Sequence, residues 1–107
     1  MKKKKNNSEE ELEILRKVAE NPKLTQRQIA EQMGLSLGKI NYLIRALLDK
    51  GSLKIGNFRK SDNKLGYLYL LTPEGVETKR NLTLLFLKRK SEEFDRLSME
   101  VQRIDNS

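Results

Sequence analysis

The sequence has 107 residues, and 22 Lys and Arg against 15 Asp and Glu give it a formal net charge of +7 at pH 7. This length allows one small domain with an appended helix, and the absence of Cys and His excludes disulfides, thiolate nucleophiles and metal sites built on imidazole or thiolate. No apolar run approaches the roughly 20 residues that span a bilayer, and no apolar stretch follows the first lysines as in a signal peptide, so we expect a cytoplasmic protein without a membrane partner, cofactor or metal.

The N-terminal segment divides into an arm and a first helix. Residues 1–7 are charged and low in complexity, and we expect a disordered basic arm there. Ser8 then begins the sequence S-E-E-E, which is typical of a helix capping box with Glu11 at the third helical position. Apolar residues at helical spacing continue to Asn21, where the dipeptide Asn-Pro ends the predicted helix.

A second helix is predicted immediately afterwards. Thr25 is its expected N-cap, and Gln28 three residues later completes another capping box. Gly34 ends the helix, because glycine readily adopts the left-handed conformation that follows a helix.

The third predicted helix covers residues 36–50, with Ser36 as its N-cap and Gly51 as its stop. Two helices joined by a glycine-bearing turn of three to four residues have the helix-turn-helix geometry. The apolar stripe of the third helix contains Ile40, either Leu43 or Ile44, Leu47 and Leu48.

The hydrophobic period changes after Gly51, where a strand is predicted from Leu53 to Phe58. The polar, turn-rich residues 59–66 follow, and then the strand sequence Y-L-Y-L-L. We therefore predict a β-hairpin, and we name residues 59–66 the wing.

A long C-terminal helix is predicted over residues 73–107, because Thr72-Pro73-Glu74 supplies an N-cap, a proline at the first position and a first-turn carboxylate. One apolar stripe of this helix repeats at spacings of three, four and seven, and we name it the seam. A helix of this kind depends on packing, so we expect the seam to form a homodimer; the alternative is that it packs back on the first helix. The seam consists of Leu87, Phe94, Leu97, Val101 and Ile104.

The order of elements predicts a mainly α fold with a small β-hairpin, which is a winged helix-turn-helix domain over residues 8–72 followed by a long helix. The charge supports a polyanionic partner for the first part. Residues 1–66 hold 15 basic and 8 acidic side chains, whereas residues 67–107 hold seven of each.

The third helix is expected to lie in a DNA major groove, with Ile40, Ile44 and Leu47 facing inward. Asn41 can then pair with adenine, and Arg45 or Lys39 with guanine or phosphate. Tyr42 can contact a phosphate or a thymine methyl group.

The start of the second helix is suited to binding a phosphate, and the wing to binding the adjacent minor groove or backbone. Alternatively, these cations only solubilise the surface, and Asn41 and Tyr42 face solvent or brace the hairpin. The predicted DNA-binding residues are Thr25, Gln26, Arg27, Ser36, Gly38, Lys39, Asn41, Tyr42, Arg45, Arg59, Lys60 and Lys64.

The stretches S-L-G-K-I-N-Y-L-I-R-A-L-L-D-K-G, K-I-G-N-F, N-K-L-G-Y-L-Y-L-L-T-P-E-G and L-F-L-K-R-K resemble the MarR-family EPS-associated transcriptional regulators. These are small bacterial winged-helix proteins linked to extracellular polysaccharide gene clusters, and the resemblance covers about residues 9–100. It implies a dimeric, cytoplasmic DNA-binding regulator with its recognition helix at residues 36–50 and its wing at residues 59–66.

Larger MarR proteins use helices at both ends to form a dimer and a ligand cleft. This sequence offers only one long C-terminal helix, so we do not expect a pocket of that kind, and the residues identify no small-molecule effector. The sequence-specific regulator is expected to bind double-stranded DNA at a pseudo-palindromic operator.

Two other functional classes fit the sequence less well. A winged-helix module that binds only protein would use the seam, and the basic recognition face argues against this as the sole role. An enzyme is not expected, because carboxylates such as Glu9–Glu11 lie on a charged helix surface without an accompanying His or Cys.

Overall fold

The computed structural model describes residues 7–61 and 64–107. Within these residues the chain forms four helices and one antiparallel hairpin, and this confirms the predicted mainly α fold with a small β-hairpin. The elements are α1 (Asn7–Glu20), α2 (Gln26–Met33), α3 (Leu37–Asp49), β1 (Leu53–Ser61), β2 (Lys64–Leu71) and α4 (Pro73–Asp105).

The start of α1 differs from the sequence prediction. The helix begins at Asn7, so Ser8 lies inside the first turn and the expected cap at Ser8 is wrong, as is the extension of the disordered arm to Asn7. Glu11 is buried, and its carboxylate accepts a hydrogen bond from Lys50 Nζ at 2.9 Å, so it is engaged with α3. The remainder of the predicted arm, residues 1–6, lies outside the described residues.

The ends of α2 and α3 follow the predicted capping chemistry. Thr25 Oγ1 accepts a hydrogen bond from Gln28 N at 3.1 Å, and Gln28 Oε1 accepts one from Thr25 N at 2.9 Å. Gly34 closes α2 with a φ of 66°. Ser36 Oγ accepts from Lys39 N at 3.1 Å, so the turn between the helices is fixed by side-chain hydrogen bonds at both ends.

One hydrophobic core holds α1, α2, α3 and the base of the hairpin together. Ile40, Ile44 and Leu47 face inward as predicted, and Leu43 is buried together with Ile44, so α3 presents a continuous apolar side. Each such side chain contributes roughly 1.5–3 kcal/mol when fully buried. The core cluster consists of Ile14, Leu15, Val18, Leu24, Ile29, Ala30, Ile40, Leu43, Ile44, Leu47, Leu53 and Tyr69.

The hairpin is longer than the sequence predicted. Its register runs from Leu53 opposite Leu71 to Ser61 opposite Lys64, with an irregularity between Arg59 and Ser61. The predicted turn over residues 59–66 is therefore largely strand, because polar side chains are tolerated on strands that are exposed on both faces. Residues 62–63 lie outside the described part of the chain.

The helix α4 starts against the turn between α3 and β1. Thr72 caps the helix, its Oγ1 accepting from Gly75 N at 3.0 Å, and Thr72 N donates to Ser52 O at 3.1 Å. A Cβ atom on Gly75 would lie 1.9 Å from Ser52 O, so only glycine allows this approach. The helix then extends away from the core, and the described residues span 70 Å along the longest axis.

Candidate nucleic-acid interface

The outer side of α3 lies opposite its buried stripe. Asn41, Tyr42 and Arg45 are exposed there, and Tyr42 has 58% of its surface accessible. A Cβ atom on Gly38 would meet no atom within 4 Å, so the first turn of the helix is open to an approaching surface. The outer side is therefore free to enter a groove.

Lys39 belongs to the same turn but is directed toward α1. Its Nζ donates to Asn7 Oδ1 at 2.8 Å and lies 3.6 Å from Glu10 Oε1. The same ammonium lies 5.4 Å from the centre of the Tyr42 ring. Lys39 is thus partly engaged within the chain, whereas Arg45 is exposed.

The N-terminus of α2 lies beside α3. Its first-turn N–H groups and the exposed Arg27 are suited to a phosphate oxygen. Thr25 is committed to the capping box, so its hydroxyl already accepts a hydrogen bond. Gln26 is half-buried and forms hydrogen bonds with residues of α3 and β2.

A short hydrogen-bond chain crosses from α3 to β2 through Gln26. Asn41 Nδ2 donates to Gln26 Oε1 at 3.3 Å, and Gln26 Nε2 donates to the Tyr69 hydroxyl at 3.0 Å. Two predicted DNA-binding residues, from different elements, are therefore in direct contact. Tyr69 was not among the predicted site residues, because nothing local in the sequence Y-L-Y-L-L distinguishes it from its neighbours.

The hairpin carries Arg59, Lys60 and Lys64 as exposed side chains on its outer half. These three cations occupy strand positions next to the described ends of the hairpin, on the segment farthest from the core. They are therefore placed to reach beyond the span of α3.

A cleft of about 580 Å³ separates the hairpin from the start of α2. The Phe58 ring forms part of its wall, and a Cβ atom on Gly66 would lie 2.5 Å from that ring. Lys23 Nζ lies 4.7 Å from the ring centre, and Lys60 also lines the cleft. Lys23 and Phe58 were not predicted as site residues, since only the fold brings α2 and the hairpin together.

The seam on α4 is exposed along its whole length, with 54–70% of each of its five side chains accessible. Contact between α1 and α4 involves the N-terminal half of α4, where Arg16 and Glu20 line a groove with Val76 and Arg80. The alternative in which the seam packs back on α1 within one chain is therefore wrong. No helix in the described part of the chain is long and apolar enough to cross a membrane.

Comparison with known proteins agrees with this geometry. Residues 11–54 match a family model described as winged helix-turn-helix DNA-binding, and these residues contain most of α1, all of α2 and α3, and the start of β1. The fold is therefore that of a winged helix-turn-helix domain with a long C-terminal helix. Comparison with curated protein sequences gives no significant match.

Several solved structures share the fold. Staphylococcus aureus MarR in complex with salicylate and kanamycin is 19% identical with a TM-score of 0.60, and the match covers 80% of this chain and 56% of that one. The PcaV transcriptional regulator from Streptomyces coelicolor is 22% identical with a TM-score of 0.62, covering 91% and 76%. MepR, a regulator of the S. aureus multidrug efflux pump MepA, is 19% identical with a TM-score of 0.62, covering 92% and 76%. The present chain thus spans little more than half of the S. aureus MarR chain.

Proposed function

We propose that the chain is a sequence-specific DNA-binding transcriptional regulator of the MarR type. The observation that carries this proposal is the contrast between the two sides of α3. One side is buried in the core, and the opposite side carries Gly38, Asn41, Tyr42 and Arg45 without cover from the described residues. The names of the structural neighbours support the same function.

In this proposal the recognition helix, residues 36–50, lies in the major groove, which is about 12 Å wide. Asn41 and Arg45 read base edges, while Ser36 and Tyr42 border the backbone. The start of α2, including Thr25 and Arg27, binds a phosphate, which fixes the register of the protein on the duplex.

The wing extends this contact along the duplex. Arg59, Lys60 and Lys64 are exposed on the outer half of the hairpin, where they are proposed to bind the adjacent backbone or minor groove. Lys39 is proposed to contribute charge to the same surface once DNA competes with Glu10 for its ammonium group.

We further propose a cytoplasmic homodimer formed through the seam. Residues 79–90 of α4 carry five basic and no acidic side chains, whereas residues 91–107 carry five acidic and two basic ones. Antiparallel pairing of two such helices sets opposite charges side by side. A two-fold dimer presents its recognition helices to half-sites about 34–36 Å apart or multiples of that, and the operator is then a pseudo-palindrome.

The regulated genes are proposed to be those for extracellular polysaccharide. This part of the proposal is supported by the resemblance of the N-K-L-G-Y-L-Y-L-L-T-P-E-G block and its neighbouring stretches to the EPS-associated regulators. Its test is the position of the selected operator sequence in the genome of the source organism. Operators that lie away from polysaccharide genes contradict it.

Selection of bound fragments from random duplex DNA, carried out at two salt concentrations, tests the main proposal. We expect enrichment of a two-fold symmetric sequence and an affinity whose log–log slope against salt steepens by about 0.9 for each neutralised phosphate. Failure to enrich any sequence, together with no binding at low salt, contradicts DNA binding.

The exposed seam favours a second candidate, a winged-helix module that binds a protein without specific DNA binding. The two candidates differ in one measurement. If only the protein-binding module is correct, introducing a charge into the seam, as in Phe94→Glu, abolishes binding of the protein partner, while loss of Arg45 changes nothing.

A further inference from the structure

The hydrogen-bond chain from Asn41 through Gln26 to Tyr69 joins three elements. Tyr69 anchors its hairpin end firmly, because its ring is part of the core and only 8% of the residue is exposed. Its backbone N also donates to Pro22 O at 3.1 Å, in the loop between α1 and α2. The phenol oxygen therefore stands at a fixed position from which Gln26 can be oriented.

This series of hydrogen bonds constrains the side chain of Asn41. The bond to Gln26 uses one of the two amide N–H groups and leaves the carbonyl oxygen as an acceptor. Recognition of adenine in the major groove needs one N–H and one acceptor from the same amide. While one N–H is bonded to Gln26, the amide therefore still has a second N–H and its carbonyl oxygen to offer to a base.

We infer that Gln26 and Tyr69 are positioning residues that hold the Asn41 amide in the orientation for reading one adenine. This inference rests on the proposed function. An amide already held in place loses less freedom when it binds, which corresponds to about a 2- to 10-fold gain in discrimination at that base pair. Gln26 therefore orients Asn41 on the recognition helix, in addition to any contact that it makes with a phosphate.

The same chain connects the hairpin to the recognition helix. Tyr69 lies on β2, two residues after Tyr67 and close to the cleft that contains Gln26 and Lys60. Through Gln26, the strand that carries Tyr69 is thus joined to the side chain of Asn41 on α3.

Four test variants and one control variant separate positioning from general binding. Tyr69→Phe removes only the hydroxyl, and Gln26→Leu removes both hydrogen bonds at nearly constant volume. Gln26→Glu keeps both hydrogen bonds, because a carboxylate can accept one from the Asn41 amide and one from the Tyr69 hydroxyl. Asn41→Ala removes the amide that contacts the base. Arg27→Gln is the matched control on α2, because Arg27 takes no part in these hydrogen bonds.

The measurement is selection from a random 24-base-pair duplex library, scored position by position, with thermal unfolding recorded for every variant. We expect Asn41→Ala to lose about 5- to 100-fold preference at one base pair. Gln26→Leu and Tyr69→Phe should lose about 2- to 10-fold at that same pair and leave other positions unchanged. Gln26→Glu should keep the preference but bind all sequences more weakly, because its charge repels phosphate.

The outcomes distinguish this inference from the proposed function. If the wild-type chain enriches no sequence, the proposed function fails and the inference fails with it. If the wild type enriches a sequence that depends on Asn41, but Gln26→Leu weakens every position equally, as Arg27→Gln should, only the inference fails. Should Tyr69→Phe be unfolded, the contrast between Gln26→Leu and Gln26→Glu decides the question.

Discussion

The region from α1 to β2 and the C-terminal half of α4 differ in where their apolar side chains lie. In the first region, apolar side chains from three helices and the hairpin meet in one core. From Leu87 to Asp105, every residue of α4 is exposed except Ser98, which is half-buried. The first region therefore folds around its own interior, whereas the second leaves its apolar side chains exposed, and we propose that a second chain covers them.

The two regions also use carboxylates differently. Glu10 and Glu11 on α1 are buried, and each approaches a lysine of α3 or its cap. On α4, Glu92, Glu93 and Asp95 are exposed to solvent. Acidic residues thus contact lysines of α3 and its cap in the first region, whereas on α4 they lie on the surface, where Glu93 is 3.7 Å from Lys90 of the same helix.

The largest expected effect is a loss of stability from the core of the first region. Ile44 is 1% exposed, and Ile44→Ala is expected to lower the free energy of unfolding by about 2–5 kcal/mol, because the surrounding helices fill the cavity only partly. Urea-induced unfolding followed by circular dichroism measures it. Tyr42→Ala, on the exposed side of the same helix, is the control and should change stability by less than about 0.5 kcal/mol. Equal losses for both variants would contradict the division of α3 into a buried and a free side.

The next effect concerns the second region. Phe94→Glu combined with Leu97→Glu is expected to raise the dimer dissociation constant at least about 100-fold, because it places four like charges in the proposed interface. Sedimentation at micromolar concentration measures the change, and the helical core of the monomer should remain folded. Met99→Glu with Gln102→Glu, which adds the same charge at exposed positions of α4 outside the seam, is the control for charge alone. A wild-type chain that sediments as a monomer at this concentration removes the seam from the proposal.

Local sequence signals were sufficient for the helices and for the side of α3 that is buried. The capping box at Thr25, the stop at Gly34 and the apolar stripe of α3 are encoded within a few residues, and each lies where it was predicted. The cap predicted at Ser8 is the exception, because α1 already begins at Asn7. The hairpin was predicted too short, because the pairing of Arg59 with Leu65 depends on the opposite strand and not on propensity. Contacts between distant residues, such as Lys39 with Glu10 and Gln26 with Tyr69, leave no periodic trace in the sequence.

A smaller effect tests the joint between the two regions. Gly75→Ala would place a methyl group 1.9 Å from Ser52 O, and we expect it to cost about 1–3 kcal/mol of unfolding free energy through a shift of α4. Gly38→Ala is the matched control, because its Cβ would meet open space. There, the higher helix propensity of alanine should stabilise the fold by up to about 1 kcal/mol. A neutral Gly75→Ala variant would show that α4 is not fixed to the α3–β1 turn.

The smallest predicted effect is a change in DNA affinity when a carboxylate of α1 is removed. Glu10→Gln removes the negative charge 3.6 Å from Lys39 Nζ, so the ammonium is released toward a phosphate, and DNA affinity should rise about 2- to 5-fold at 0.1 M salt. The log–log salt slope should steepen by up to about 0.9. Glu11→Gln is the control, because Glu11 pairs with Lys50 at the far end of α3, away from the recognition face. If the two variants raise affinity equally, the gain comes from net charge alone, and the contact between Glu10 and Lys39 does not restrain the recognition helix.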